Sequence, residues 1–68
     1  MHRNPSLSER ELEVLQLIAD GYTDEQVAAE LLITIHTANA HRKNLLSKMR
    51  VNNVALLVAE AFRQGLIT

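Results

Sequence analysis

TIHTANAHRKNLLSKM, residues 34–49, is the stretch from which the rest of the chain can be placed. Thr34 has a side-chain oxygen that can accept from the unpaired N–H groups of a first helical turn, so a helix can begin directly after it. Ala38, Leu45 and Met49 recur at the i, i+7 and i+11 positions and fall on one side, with His41 beside them. This spacing predicts a helix over 35–49 with an apolar inner face, leaving Asn39, Lys43 and, to one side, Arg42 outward. Between residues 31 and 59 the chain carries Arg42, Lys43, Lys48 and Arg50 but no Asp or Glu, although acids outnumber Lys and Arg eight to seven overall. Positive charge is thus local to this region. An acid-free helix with short hydrogen-bonding side chains near its start suits a polyanion with readable edges, and DNA is the commonest of these.

Working upstream, Leu32-Ile33 reads as a short break. Before it, Thr23 and Gln26 have the spacing of a capping box, and Asp24 and Glu25 complement the positive end of a helix dipole, which predicts a helix over 24–31. A second box, Ser8 with Glu11, opens a helix over 9–20. Its stripe is Leu12, Leu15, Ile18 and Ala19, broadened by Val14 and Leu17, and Gly21 can supply the left-handed residue that ends it. The acids and Arg10 around this first turn read as a cap plus a solvated face. Downstream, Asn52 or Asn53 caps a last helix over 53–64, closed by Gly65. No alternating strand pattern of useful length competes. The expected fold is all-α, a four-helix bundle-like domain whose second and third helices form a helix-turn-helix.

Composition narrows the function classes. Sixty-eight residues make a single domain, read as 7–68, with 1–6 (MHRNPS) as a disordered or linker remnant. With no cysteine, neither disulfides nor a cysteine-ligated zinc can staple so small a core, and Tyr22 and Phe62 are its only aromatics. His36 and His41 are five apart and share a helix face poorly, so no metal is expected; no cofactor is expected either. No carboxylate pair stands beside a nucleophile or base at workable spacing, and Ser6, Ser8 and Ser47 read as structural, so no catalytic residue is expected. The N-terminus lacks the apolar segment of a secretory signal and no run approaches the roughly 20 apolar residues of a membrane span, which makes a cytoplasmic location the expectation. A net charge of −1 argues against indiscriminate nucleic-acid binding.

In a helix-turn-helix the first helix crosses the phosphate backbone and the second enters the major groove, so its first two turns reach base edges. Asn pairs with adenine, Lys with guanine, and Ala permits close approach or touches a thymine methyl. Asn39, Ala40 and Lys43 are therefore the base-reading candidates, with His36 at the edge, while His41 reads as an inner packing residue. The last helix is apolar almost all round, more than one face of a small domain can bury, and exposed apolar surface marks a partner. A symmetric homodimer contact through Val54, Leu57, Val58 and Ala61 is the expectation, matching two DNA half-sites one helical turn apart.

The run LSERELEVLQLIADGYTDEQVAAELLITIHTANAHRKNLLSKMRVNN, residues 7–53, resembles the LuxR-type (GerE-type) helix-turn-helix domain. The correspondence rests on Leu7-Ser8, Arg10-Glu11 and Glu13-Val14-Leu15, on Ile18-Ala19 with Gly21, on Val27-Ala28, on Thr34 and Thr37 with His41, and on Lys48-Met49 with Val51. The resemblance implies a double-stranded-DNA-binding output module of a bacterial transcription regulator, joined to a receiver or sensor domain and dimerising through its last helix. It implies base contacts at Asn39, Ala40 and Lys43, and phosphate contacts at Thr23, Thr37, Arg42, Asn44 and Lys48. The chain departs from the family pattern at Asn39, where Lys or Arg is common, at Ala38 for Val, and at Val54 for Arg. It also departs at Asp24-Glu25, where acids would face phosphate if exposed and weaken binding. The rival expectation is a protein-interaction domain that keeps the fold without binding DNA.

Overall fold

The computed structural model describes residues 7–68, and the remnant read at 1–6 lies outside the described residues. Four helices follow one another, α1 (Glu9–Ala19), α2 (Asp24–Leu31), α3 (Ile35–Met49) and α4 (Val54–Arg63), with no strand among the described residues. Each start is fixed by a side chain that the local sequence contains. Ser8 and Glu11 form the reciprocal box on α1, Thr23 and Gln26 the one on α2, Thr34 accepts from the Thr37 N–H, and Asn53 accepts from the Leu56 N–H. Asn52 is not the cap; its Oδ1 accepts from Asn53 Nδ2 at 3.3 Å.

The four helix ends repeat one device. The N–H groups of Tyr22, Ile33, Val51 and Leu66 each donate to a carbonyl five residues back, and the residue before each donor has positive φ. This is the Schellman closure, which satisfies carbonyls that a helix end otherwise leaves unpaired. Gly21 and Gly65 adopt it without Cβ conflict, whereas Leu32 and Arg50 adopt it at φ 58° each. A non-glycine residue there costs about 1–2 kcal/mol. Leu32 recovers nothing through burial, being 91% exposed.

The core is assembled around α3, which packs against each of the other three helices. Ala38, Leu45 and Met49 meet Val14, Leu15 and Ile18 of α1, Val27 and Ala28 of α2, Leu57 and Ala61 of α4, and Ile67 beyond it. The inner face of α1 is rotated from the expected stripe: Leu12 is half-buried and outside the core, while Glu11 is buried.

Glu11 is more than a cap residue on a solvated face. Its Oε1 accepts from the Ser8 N–H at 2.9 Å and from Lys48 Nζ at 2.9 Å, so the carboxylate joins the start of α1 to the last turns of α3. The Ser8 N–H and then Lys48 hold its pKa below the ordinary carboxylate value, against an opposing effect of burial. A folded-state pKa below the unfolded one contributes stability that is complete above the unfolded value, about 4.3, and is lost as pH falls through the folded value. Glu11→Gln keeps an acceptor for Ser8 and removes the ion pair, so it should cost about 1–2 kcal/mol at neutral pH. Urea unfolding across the acid range should show the two proteins converging as pH falls; a gap that stays constant would dissociate Glu11 from the acid limb.

Candidate nucleic-acid interface

The outward ridge of α3 runs through His36, Ala40, Lys43 and Ser47, which recur at i, i+4, i+7 and i+11 and are all exposed. It lies opposite Ala38, Leu45 and Met49, whose burial fixes the rotation of the helix. Thr34 sets where the ridge begins, and its hydroxyl pairs with that of Thr37 at 2.9 Å, closing the first turn. Of the expected base readers, Ala40 and Lys43 stand on this ridge, while Asn39 is half-buried on its α2 flank. Ser47, read from sequence as structural, shares the ridge; the i+4 spacing from Lys43 was the available signal.

The flanks are organised by two carboxylates. On one side Asp24, the first residue of α2, accepts from Asn39 Nδ2 at 3.0 Å and from Arg42 Nε at 3.2 and 3.3 Å. On the other, Glu11 holds Lys48. The condition under which Asp24 would face phosphate, exposure, is not met: it is half-buried and turned into α3, where the Arg42 guanidinium offsets its charge. Glu25 remains exposed.

The residues implied as phosphate contacts occupy different surroundings. Thr23 is exposed but its hydroxyl is taken up by the Gln26 N–H, and Asn44 is exposed on the side of the ridge away from α2. Thr37 uses its hydroxyl within the turn, Arg42 is held by Asp24, and Lys48 by Glu11. Long-range pairs of this kind leave no trace in local sequence pattern, which is why they were missed.

The contact expected on α4 must also be corrected. Leu57 and Ala61, one helical turn apart, are fully buried in the core of the single chain and have no surface to offer a partner. Val54 and Val58 are half-buried against that core. The exposed apolar face of α4 is instead Ala55, Leu56, Ala59 and Phe62. Phe62 is 54% exposed on this face.

Residues 5–61 match the model of the family described as bacterial regulatory proteins, luxR family. Among curated proteins, the chain is 44% identical over 61 residues to the response regulator protein VraR of Staphylococcus aureus, covering 90% of this chain and 29% of that protein. The chain thus spans under a third of the length of the curated relatives it matches. Among solved structures, it superposes on the transcription factor GerE with a TM-score of 0.86 at 27% identity, covering 91% of this chain and 92% of that one. It superposes on the response regulator ChrA of a heme-sensing two-component system with a TM-score of 0.87 at 35% identity, covering 97% of this chain and 33% of that one. A Vibrio cholerae VqmA–ligand–DNA complex matches with a TM-score of 0.85 at 27% identity over 97% of this chain and 29% of that one. The family match, the four-helix order and the α2-turn-α3 arrangement agree, and the chain belongs to the luxR family of bacterial regulatory proteins as a helix-turn-helix domain.

Proposed function

We propose that this domain binds double-stranded DNA in a sequence-specific way as part of a transcription regulator, with α3 in the major groove. The observation that carries the reading is the exposed ridge of His36, Ala40, Lys43 and Ser47 on a helix rigidly buried along its opposite face. Such a helix can enter a groove about 12 Å wide without rearranging the core. VqmA, a structural relative, is seen in complex with DNA, which supports the same use here.

In this reading Lys43 donates to guanine acceptors, Ala40 allows close approach or touches a thymine methyl, and Asn39 reads from the α2 flank. Thr23, Thr37, Arg42, Asn44 and Lys48 lie toward the phosphates. Arg42 and Lys48 each approach already engaged by a carboxylate, so their net pull on phosphate is less than that of solvated cations. Affinity for one half-site is accordingly modest. A second copy joined through the Leu56 and Phe62 face of α4 supplies the rest, on two half-sites about one helical turn apart. A receiver or sensor domain in a longer chain would set when this pairing occurs.

Lys43→Ala should weaken binding by about 1–3 kcal/mol and relax preference at one base position. Selection from a random duplex pool followed by anisotropy titration at several salt concentrations measures both. Wild-type affinity should fall steeply with salt as phosphate contacts are screened. An affinity indifferent to salt and to Lys43→Ala would favour a protein-binding role instead.

A further inference from the structure

We infer that Asp24 is a positioning residue that sets which base Asn39 reads, an inference that rests on α3 occupying the major groove. The two ends of an asparagine amide are nearly the same shape, so their order is ordinarily decided by their partners. Here the partner is a carboxylate. A carboxylate accepts hydrogen bonds and cannot donate them, so the group 3.0 Å from Asp24 Oδ2 is Asn39 Nδ2.

That contact uses one of the two amide N–H groups and leaves the other, together with Oδ1, for a partner. One donor beside one acceptor matches adenine, which displays N7 as acceptor and the N6 amino group as donor along its major-groove edge. Guanine displays two acceptors there and would present O6 to the amide oxygen. A free Asn39 amide carries two N–H donors and can turn its NH2 group toward the acceptors of guanine; with one N–H committed to Asp24, a single donor beside Oδ1 is what remains, held in one orientation.

The Asp24 side chain is free of capping work and is held by Arg42. The cap of α2 is already made by Thr23 and Gln26, so the Asp24 side chain is not needed to start that helix. Arg42 donates Nε to both carboxylate oxygens at 3.2 and 3.3 Å, which holds the carboxylate in place and offsets its charge near a phosphate backbone. The side chain that anchors Asn39 thus comes from the helix that crosses the backbone. Base choice at this position is coupled to the seating of α2.

The test compares wild type, Asp24→Ala, which leaves no acceptor for Asn39, Asn39→Ala and the double variant, each by selection from a random duplex pool and by titration of duplexes differing at the selected position. Wild type should favour adenine at one position of each half-site by about tenfold over guanine, the scale of one bidentate pair. Both single variants should lose most of that preference, and Asp24→Ala should change the preference no further in the Asn39→Ala background. Circular dichroism melts confirm that the variants remain folded. If Asp24→Ala keeps the wild-type preference, or binds every duplex more tightly with unchanged preference, Asp24 acts only as bulk negative charge and the assignment is overturned. A preference for another base that Asn39→Ala removes would overturn the adenine assignment while leaving the groove reading intact. A wild type that selects no motif at all would overturn both.

Discussion

Leu57→Ala should unfold most of this domain at physiological temperature. Leu57 is fully buried, on a helix that packs against both α1 and α3. Truncating a buried leucine typically costs 2–5 kcal/mol, the lost transfer energy plus a cavity that neighbours fill only partly. A core in a chain of this size rarely supplies more than about 3–5 kcal/mol in total. The two ranges overlap, so little net stability remains. At about 4–8 °C per kcal/mol for a small domain, the midpoint should drop by at least about 10 °C. Leu56→Ala, next in sequence but about half exposed, should move the midpoint by only a few degrees. Thermal melts by circular dichroism on the two variants decide the phase of α4. Equal midpoints for both would mean that Leu57 is not the residue α4 turns into the core.

The contrast between these neighbours shows where the sequence could be read and where it could not. Helix starts were legible because caps are local: Ser8 with Glu11 and Thr23 with Gln26 satisfy N–H groups within three residues of themselves. The inner face of α3 was legible because its apolar residues are sparse, so that Ala38, Leu45 and Met49 admit only one rotation. In α4 they are nearly continuous, and a helix that is apolar all round carries no phase. Its inward face was therefore set by packing on α1 and α3 and assigned wrongly to a partner. The ends at Leu32 and Arg50 were illegible for a different reason, since neither residue type prefers the left-handed region that closes those helices. The carboxylates of Glu11 and Asp24 took partners 37 and 18 positions away, which only the tertiary fold brings within reach.

Phe62→Glu should separate binding to one half-site from binding to two. Phe62 and Leu56 are 54% and 49% exposed, with the small Ala55 and Ala59 on the same face of α4. Two copies related by a two-fold axis can bring such faces together, the alanines letting the helices approach while each phenylalanine meets apolar surface. Pairing makes the second half-site contact intramolecular, and linkage of this kind can raise affinity by roughly 10²–10⁴ without any new base contact. A glutamate in place of Phe62 removes the apolar side chain and sets like charges across the axis. Affinity for a two-half-site duplex should therefore fall by about 100-fold, while affinity for a single half-site changes little. The melting midpoint should remain near that of wild type, because the replaced ring is mostly in solvent. Titration of both duplexes, with sedimentation velocity on the complexes, provides the readout. A wild type that binds two half-sites no better than one would remove α4 as the pairing surface. A large loss on the single half-site would instead place Phe62 at the DNA. The expected split follows from the position of the two carboxylates. With Arg42 and Lys48 partly satisfied inside one chain, each copy is left with Lys43 as the Lys or Arg on the exposed ridge of α3. On the proposed reading, useful affinity comes from holding two such ridges on one face of the duplex.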